Sequence, residues 1–302
     1  MTVNSPSTGD TLPPQGDRWD SLTKDELYWC DRQPWLEEHG YMLRPRYRPG
    51  WKPFEGETTK FREDSHWSLV RSSLVESMSQ VSSIMDATRL SDGYLVTMKK
   101  IEIDIHPYEL EIGQFLSSDQ ITFGPRNRCV RILEVLPDPT EKNISIIVMP
   151  YLKAFNDPDF LTFGEAVTCL KQLIEGLRVM HENHVAHRYD YCFDISDMNI
   201  MMDAAVMYPG MWHPHDPRYK YDHSGWATHY SRTERPPKYY YIDFGLSRKY
   251  DPTDGPPKEL PILGGDKSVP EFRGEGYDKP SIVPILSIRT FTTLVISCEP
   301  SS

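Results

Sequence analysis

The stretch that most constrains how this chain can fold is Tyr239-Tyr240-Tyr241-Ile242-Asp243-Phe244-Gly245-Leu246-Ser247. Three tyrosines and an isoleucine read as a short buried strand, because aromatic and β-branched side chains suit a packed, pleated surface. The strand ends on an aspartate, and a Phe-Gly pair breaks it at once. A carboxylate at the end of a buried strand, on a turn loosened by glycine, suits a cation held against a phosphate. The tripeptide alone recurs by chance, so its meaning depends on what the rest of the chain sets beside it.

Composition narrows the classes of partner. A formal net charge of -11 argues against nonspecific nucleic-acid binding, which needs basic surface to displace counterions. No apolar run approaches the roughly 20 residues of a membrane helix. The opening MTVNSPSTGD lacks the charged-then-apolar layout of a secretion signal. Cys30, Cys129, Cys169, Cys192 and Cys298 are scattered, odd in number and without a Cys-x-x-Cys pair, as expected of reduced thiols. The expectation is an intracellular protein, cytoplasmic or nuclear, with no membrane and no nucleic-acid partner.

Residues 1–25, rich in Ser, Pro, Gly, Thr and Asp, are expected to be disordered. Residues 26–78 read as an N-terminal extension. Between Trp29 and Phe54, Arg44, Arg46, Arg48 and Lys52 alternate with Tyr41, Tyr47 and Trp51. That pattern fits a phosphate- or RNA-binding patch, or an ordered extension that packs its aromatics inward and leaves its arginines in solvent. Residues 64–86 are polar and serine-rich, helix or loop. Ile84–Leu90 and Tyr94–Ile101 form two strand-like runs joined by Ser91-Asp92-Gly93, a hairpin signal. Lys99 sits inside the second run.

Pro107 suits a first helical turn, and Tyr108–Leu116 continues the helix. Ile112 and Leu116 would bury one face, and Glu109 shares that face by spacing. An inward glutamate needs a cation, for which Lys99 is the candidate. Val130–Leu136 and Ile144–Met149 read as a further strand pair around Pro-Asp-Pro-Thr at 137–140. From Phe163 to His184 the spacing is helical, with Val167, Leu170, Leu173, Ile174, Leu177 and Met180 on the expected core face. The histidines His213, His215, His223 and His229 with Asp216 and Asp222 allow a zinc site, although irregular spacing favours a surface insertion.

The order of these pieces is lysine strand, glutamate helix, long helix, His187-Arg188 followed by an Asp-x4-Asn, and Asp-Phe-Gly. It resembles the eukaryotic protein kinase family. More closely, VMHENHVAHR, NIMMDAAVMYP, SRTERPPKYYYIDFGLS and DKSVPEF resemble a protein-kinase-like family abundant in basidiomycete fungi, over roughly residues 26–280. The resemblance implies an α+β, two-lobed protein-kinase-like fold. Residues 79–152 would form a small antiparallel β N-lobe with one helix and a hinge. Residues 153–280 would form a partial, mainly helical C-lobe, followed by an atypical tail at 281–302.

The resemblance also implies ATP and Mg2+ as cofactors, a protein substrate, and a role for each residue. Asp243 and Asn199 would be magnesium ligands, as oxygen donors suited to a hard cation. Lys99 would contact the nucleotide phosphates with Glu109 as its helix partner, Glu111 being the fallback. Asp194 would be the base that orients the substrate hydroxyl, with Asp190 as rival. In IIVMPYL, Met149 would guard the back of the nucleotide pocket, and the Pro150 carbonyl and Leu152 N–H would meet adenine. Val269-Pro270-Glu271 resembles the end of an activation segment, with Ser247, Thr253 and Ser268 as nominal phosphorylation candidates.

Four features depart from the family pattern. No Gly-x-Gly-x-x-Gly precedes the lysine strand, and no glycine lies between Gly56 and Gly93. Tyr189–Phe193 look like an insertion between His-Arg and the base. Ser196 stands where most such kinases have a lysine. The run SIVPILSIRTFTTLVISCEPSS replaces the helices expected after Glu271. The expected function is a protein-kinase-like phosphotransferase moving the ATP γ-phosphate to protein Ser/Thr hydroxyls. The alternatives are a pseudokinase scaffold and, third, a small-molecule kinase.

Overall fold

Burial alternates along Leu95–Glu102 until Met98, then two lysines in succession, Lys99 and Lys100, stand half-exposed before Ile101 returns to the core. That strand, β3, is the middle of a five-stranded antiparallel sheet in the computed structural model, which describes residues 22–51, 83–118, 121, 124, 126–187, 199–214, 217–221 and 224–254. The sheet order is β1 (Tyr41–Leu43), β2 (Ile84–Arg89), β3, β5 (Ile144–Pro150), β4 (Glu134–Pro137). The β2–β3 hairpin follows the expected Ser-Asp-Gly turn, with Gly93 at φ 74, a left-handed value that suits glycine. In β5 Ile144–Val148 are buried without interruption, as expected of a strand covered on both faces.

Helix α1 (Lys24–Glu38) begins inside the stretch expected to be disordered. A reciprocal cap explains its start. The Glu26 N–H donates to Thr23 Oγ1 at 3.3 Å, and the Thr23 N–H donates to Glu26 Oε2 at 2.8 Å. Trp29 and Leu36 of α1 pack with Tyr41, Leu43, Tyr47, Met98, Ile146 and Val148 in one buried cluster. Two arginines of this region are not in solvent as expected, whereas Arg48 is exposed. Arg46 is buried against Glu26 at 2.8 Å, and Arg44 lies 3.1 Å from buried Asp86. Arg48 Nε donates to the Leu43 carbonyl. Arg44 thus ties the extension to β2, and two of the four basic residues of the phosphate- or RNA-binding patch are taken up in ion pairs, while Lys52 lies outside the described residues.

Helix α2 (Pro107–Leu116) follows β3 with Pro107 in its first turn, and it buries Glu109, Ile112 and Leu116 as the spacing indicates. Glu111 is exposed. The strand expected from Val130 is shorter and begins at Glu134. The preceding segment instead joins a second sheet region, where Cys129 bridges Tyr241 in parallel and the Val130 N–H donates to the Tyr241 carbonyl. A second cluster collects Ile112, Leu116, Leu173, Met180, Ile200, Met202, Tyr239, Tyr241 and Phe244.

After β5 the chain forms β6 (Lys153–Ala154), α3 (Phe163–Glu182), β7 (Val185–Ala186), β8 (Ile200–Asp203), β9 (Lys238–Tyr241) and β10 (Arg248–Lys249). The strands pair as β6-β8-β9 and β10-β7. The lobe expected to be mainly helical thus shows a single α-helix among its described residues. On α3 the buried positions are Ala166, Cys169, Leu173, Gly176, Val179 and Met180, whereas Val167 and Ile174, expected inside, are exposed. Close approach decides this. A Cβ on Gly176 would lie 2.4 Å from the Arg128 Cβ, so the glycine edge packs against the Arg128 and Tyr241 side chains. Among the described residues no helix is long and apolar enough to cross a membrane.

Candidate active site

The three tyrosines of β9 are fixed by different partners. Tyr239 accepts from Arg232 Nε at 3.0 Å, Tyr241 Oη donates to the Leu173 carbonyl at 3.0 Å, and Tyr240 stands half-buried between them. The strand is thereby pinned to α3 and delivers Asp243 to a defined place. Asp243 takes φ 61, the left-handed region that aspartate tolerates better than most non-glycine residues. The turn is held from behind by His187. Its Nε2 lies 3.0 Å from the Ile242 carbonyl, its ring stands edge-on to Phe244, and its carbonyl accepts from Ser247 Oγ at 3.1 Å. Burial lowers the His187 pKa to about 4, so the ring is neutral and donates from Nε2. Ser247 is fully buried in this contact, which removes it as a phosphorylation candidate.

Lys99 is the meeting point. Its Nζ donates to Glu109 Oε1 at 2.5 Å and to Asp243 Oδ1 at 2.9 Å, joining β3, α2 and the turn after β9. Burial by itself would depress the lysine, but the charges of Asp243 and Glu109 outweigh it and hold the ammonium above its ordinary value. Burial also works upward on Asp243. There Lys99 and the Gly245 N–H, 3.2 Å from Oδ1, prevail and keep the carboxylate ionised. Glu109 is pushed up, by burial first and by the neighbouring Asp243 charge as well. One cation is therefore shared by two carboxylates of unequal acidity.

Gly245 makes room for this cluster. A Cβ there would stand 3.2 Å from Glu109 Oε2 and from His106 Nδ1, and 3.3 Å from Asp243 Oδ1. Asn199 directly precedes β8, and its carbonyl accepts from the Ile242 N–H at 3.0 Å, which sets it opposite the residue before Asp243. Met149 is paired with Thr97, two residues before Lys99 on β3, so it shares a sheet face with the lysine. Pro150 ends β5 opposite Val96, and Leu152 is buried in the second cluster.

The residues that the sequence brings forward are thus distributed unequally. Lys99, Glu109 and Asp243 meet, while Asn199 and Met149 lie on the neighbouring strands, Asn199 before β8 beside β9 and Met149 on β5 beside β3. Asp194 and Asp190 lie outside the described residues. So do His215, Asp216, Asp222 and His223 of the conceivable zinc site, and Ser268. Among the described residues no group of three or more His, Cys, Asp or Glu side chains is placed to hold a metal. Sequence reasoning missed His106, Gly245 as a spacer, and His187 as the buried support of the turn. The His187-Arg188 motif pointed to that last residue without indicating its contact.

No protein-family model matches the chain, and neither does any curated protein. The chemistry of the site therefore rests on its own geometry. An ionised, largely buried carboxylate is an oxygen donor of the kind a hard divalent cation takes, and the backbone of Asn199 is set beside the strand that leads to it.

Proposed function

We propose that the chain is a protein-kinase-like phosphotransferase that moves the γ-phosphate of ATP to protein Ser/Thr hydroxyls. In this proposal the five-stranded sheet with α2 is the small lobe, and the segment after Pro150 opens the larger one. The observation that carries it is Lys99 bonded at once to Glu109, ten residues on, and to Asp243, 144 residues on. Such a cluster suits phosphoryl transfer, which asks a protein mainly to position groups and neutralise charge.

Lys99 would bind the nucleotide phosphates, with Glu109 orienting its ammonium. Asp243 and Asn199 would hold Mg2+, which supplies charge neutralisation at the phosphates when bound. Met149, Pro150 and Leu152 would line the adenine end. Asp194, within 188–198, would accept the hydroxyl proton, a role that rests on its spacing to Asn199. His187 and Gly245 keep the Asp243 turn in the conformation that lets its carboxylate reach Lys99.

A specific feature favours a second function, a nucleotide-binding scaffold without turnover. The connection from β1 to β2 spans residues 44–83 and carries only Gly50 and Gly56, in place of a tight glycine-rich lid. The two are separated by one set of measurements on the full chain. Thermal denaturation with and without Mg2+·ATP should show a stabilising shift that Asp243→Asn abolishes. Phosphate transfer to a generic protein substrate, or to the chain itself, supports the phosphotransferase. A shift without transfer supports the scaffold, and transfer only to a small hydroxyl compound points to a small-molecule kinase. A wild-type chain with no shift refutes the phosphotransferase and leaves a scaffold that does not bind nucleotide.

A further inference from the structure

Helix α3 carries two apolar faces, and among the described residues only one of them is covered. Ala166, Cys169, Leu173 and Met180 are buried in the second cluster, and Leu177 packs against it. Phe163, Val167, Leu170 and Ile174 recur at four-, three- and four-residue steps. On a helix of 3.6 residues per turn, they form a second stripe about 100° around the axis from the buried one. Phe163, Val167 and Ile174 are 57%, 60% and 50% exposed, and Leu170 is half-buried. Single exposed apolar residues are ordinary, but four aligned along one helix mark an interaction surface.

The path of the chain indicates what covers it. Directly after α3, β7 pairs with β10, and the Tyr250 N–H donates to the His184 carbonyl at 2.9 Å. The described residues therefore end at Asp254 near the C-terminal end of α3. Beyond lie residues 255–302, and within them 282–297 read Ile-Val-Pro-Ile-Leu-Ser-Ile-Arg-Thr-Phe-Thr-Thr-Leu-Val-Ile-Ser, with Arg289 as the one charged residue. This is the most apolar stretch of the region, and the intervening 255–281 are long enough to reach any part of a helix about 30 Å in length. Tethering raises the local concentration of the stretch at the stripe to the order of millimolar, which a second copy at micromolar concentration does not match.

We propose that residues 282–297 pack along the outer stripe of α3, formed by Phe163, Val167, Leu170 and Ile174. The inference is independent of the phosphotransferase proposal, since it uses no residue of the Lys99 cluster. It also gives the atypical run a structural role, covering a helix face that would otherwise meet water.

The test uses the full chain with photoreactive p-benzoylphenylalanine at position 167. On irradiation, cross-links from position 167 should map within residues 282–297 of the same molecule. Cross-links only to other residues overturn the proposal, as do covalent dimers from mixed isotope-labelled copies, which would make a second copy the occupant. A second measurement follows hydrogen exchange in the pair Val167→Ser and Ile174→Ser. Amides of 282–297 should exchange on the order of tenfold faster than in the wild type, because truncating buried aliphatic side chains costs at least that much in opening equilibrium. Unchanged exchange overturns the proposal. If the serine pair fails to fold, Val167→Ala with Ile174→Ala gives the same readout.

Discussion

Two buried ion clusters sit at opposite ends of the function question. In the first, Asp138 accepts from Tyr28 Oη at 2.6 Å, Arg32 Nε at 2.9 Å, and the N–H groups of Thr140 and Glu141 at 2.8 Å each. Burial would raise this carboxyl, but Arg32, Tyr28 and the two backbone donors hold it well below the usual carboxylate range. Arg32 also donates to Thr140, Glu141 and the Tyr28 carbonyl, and lies over the Tyr28 ring. In the second cluster, Lys99 divides itself between Glu109 and Asp243. The first cluster pairs charge with many local donors and serves as a staple between α1 and the β4–β5 turn. The second leaves two acids on one cation beside a glycine, an arrangement a ligand can rebalance. Burial of an ion pair does not tell a staple from a site. The surrounding donors do.

The largest expected effect lies in the staple. Asp138→Ala leaves Arg32 buried without its main partner and should cost about 3–5 kcal/mol in chemical denaturation, while the fractional response to Mg2+·ATP survives. A loss below about 1 kcal/mol would mean that the cluster is not a staple.

Lys99→Met should cost about 3 kcal/mol and, unlike Asp138→Ala, should also abolish the nucleotide response. Its pH dependence sharpens the contrast. In the wild type, the lowered Asp243 contributes stability that is present above the ordinary carboxylate pKa and lost as pH falls. Without the lysine, a raised Glu109 dominates. Its contribution is present below the ordinary value and lost as pH rises, so the variant should melt higher at pH 5 than at pH 8. The opposite order would show that the two acids do not compete for one cation.

His187 supplies a third test. Its folded pKa near 4 lies below the usual 6.5, so its contribution is full above pH 6.5 and declines as pH falls toward 4. The decline amounts to about 1.4 kcal/mol per pH unit. His187→Gln keeps a donor for the Ile242 carbonyl and should flatten the stability profile by that slope in urea titrations at pH 4.5–7.

Gly245→Ala puts a methyl against three polar atoms of the cluster and should cost about 1–3 kcal/mol, with weaker nucleotide binding by calorimetry. Unchanged binding would mean that the turn can shift without disturbing Lys99. The smallest effect belongs to Thr23→Ala, which removes half of the α1 cap and should lower stability by about 1 kcal/mol. It should leave nucleotide binding alone.

Local patterns were legible where one element explains itself. The β2–β3 hairpin followed from a turn between two apolar runs, and the inward side of Glu109 followed from its spacing to Ile112 and Leu116. On α3 the same reasoning merged two faces into one, because periodicity shows that positions align but not which stripe meets a neighbour. Arg44 and Arg46 look like solvent-facing charges in sequence, since Asp86 and Glu26 reveal themselves as partners only once α1 and β1 lie on the sheet.

By itself, then, the sequence determined the antiparallel hairpin, the helix that carries Glu109, and a strand ending at Asp243, because turn chemistry and residue period act over a few residues. It also singled out Lys99 as the candidate cation for the inward Glu109. That Lys99 also meets Asp243, that His187 holds the Asp243 turn, and that Gly245 must be small were decided by tertiary structure alone. Those contacts join residues from distant parts of the chain, and their geometry exists only after the two clusters have packed.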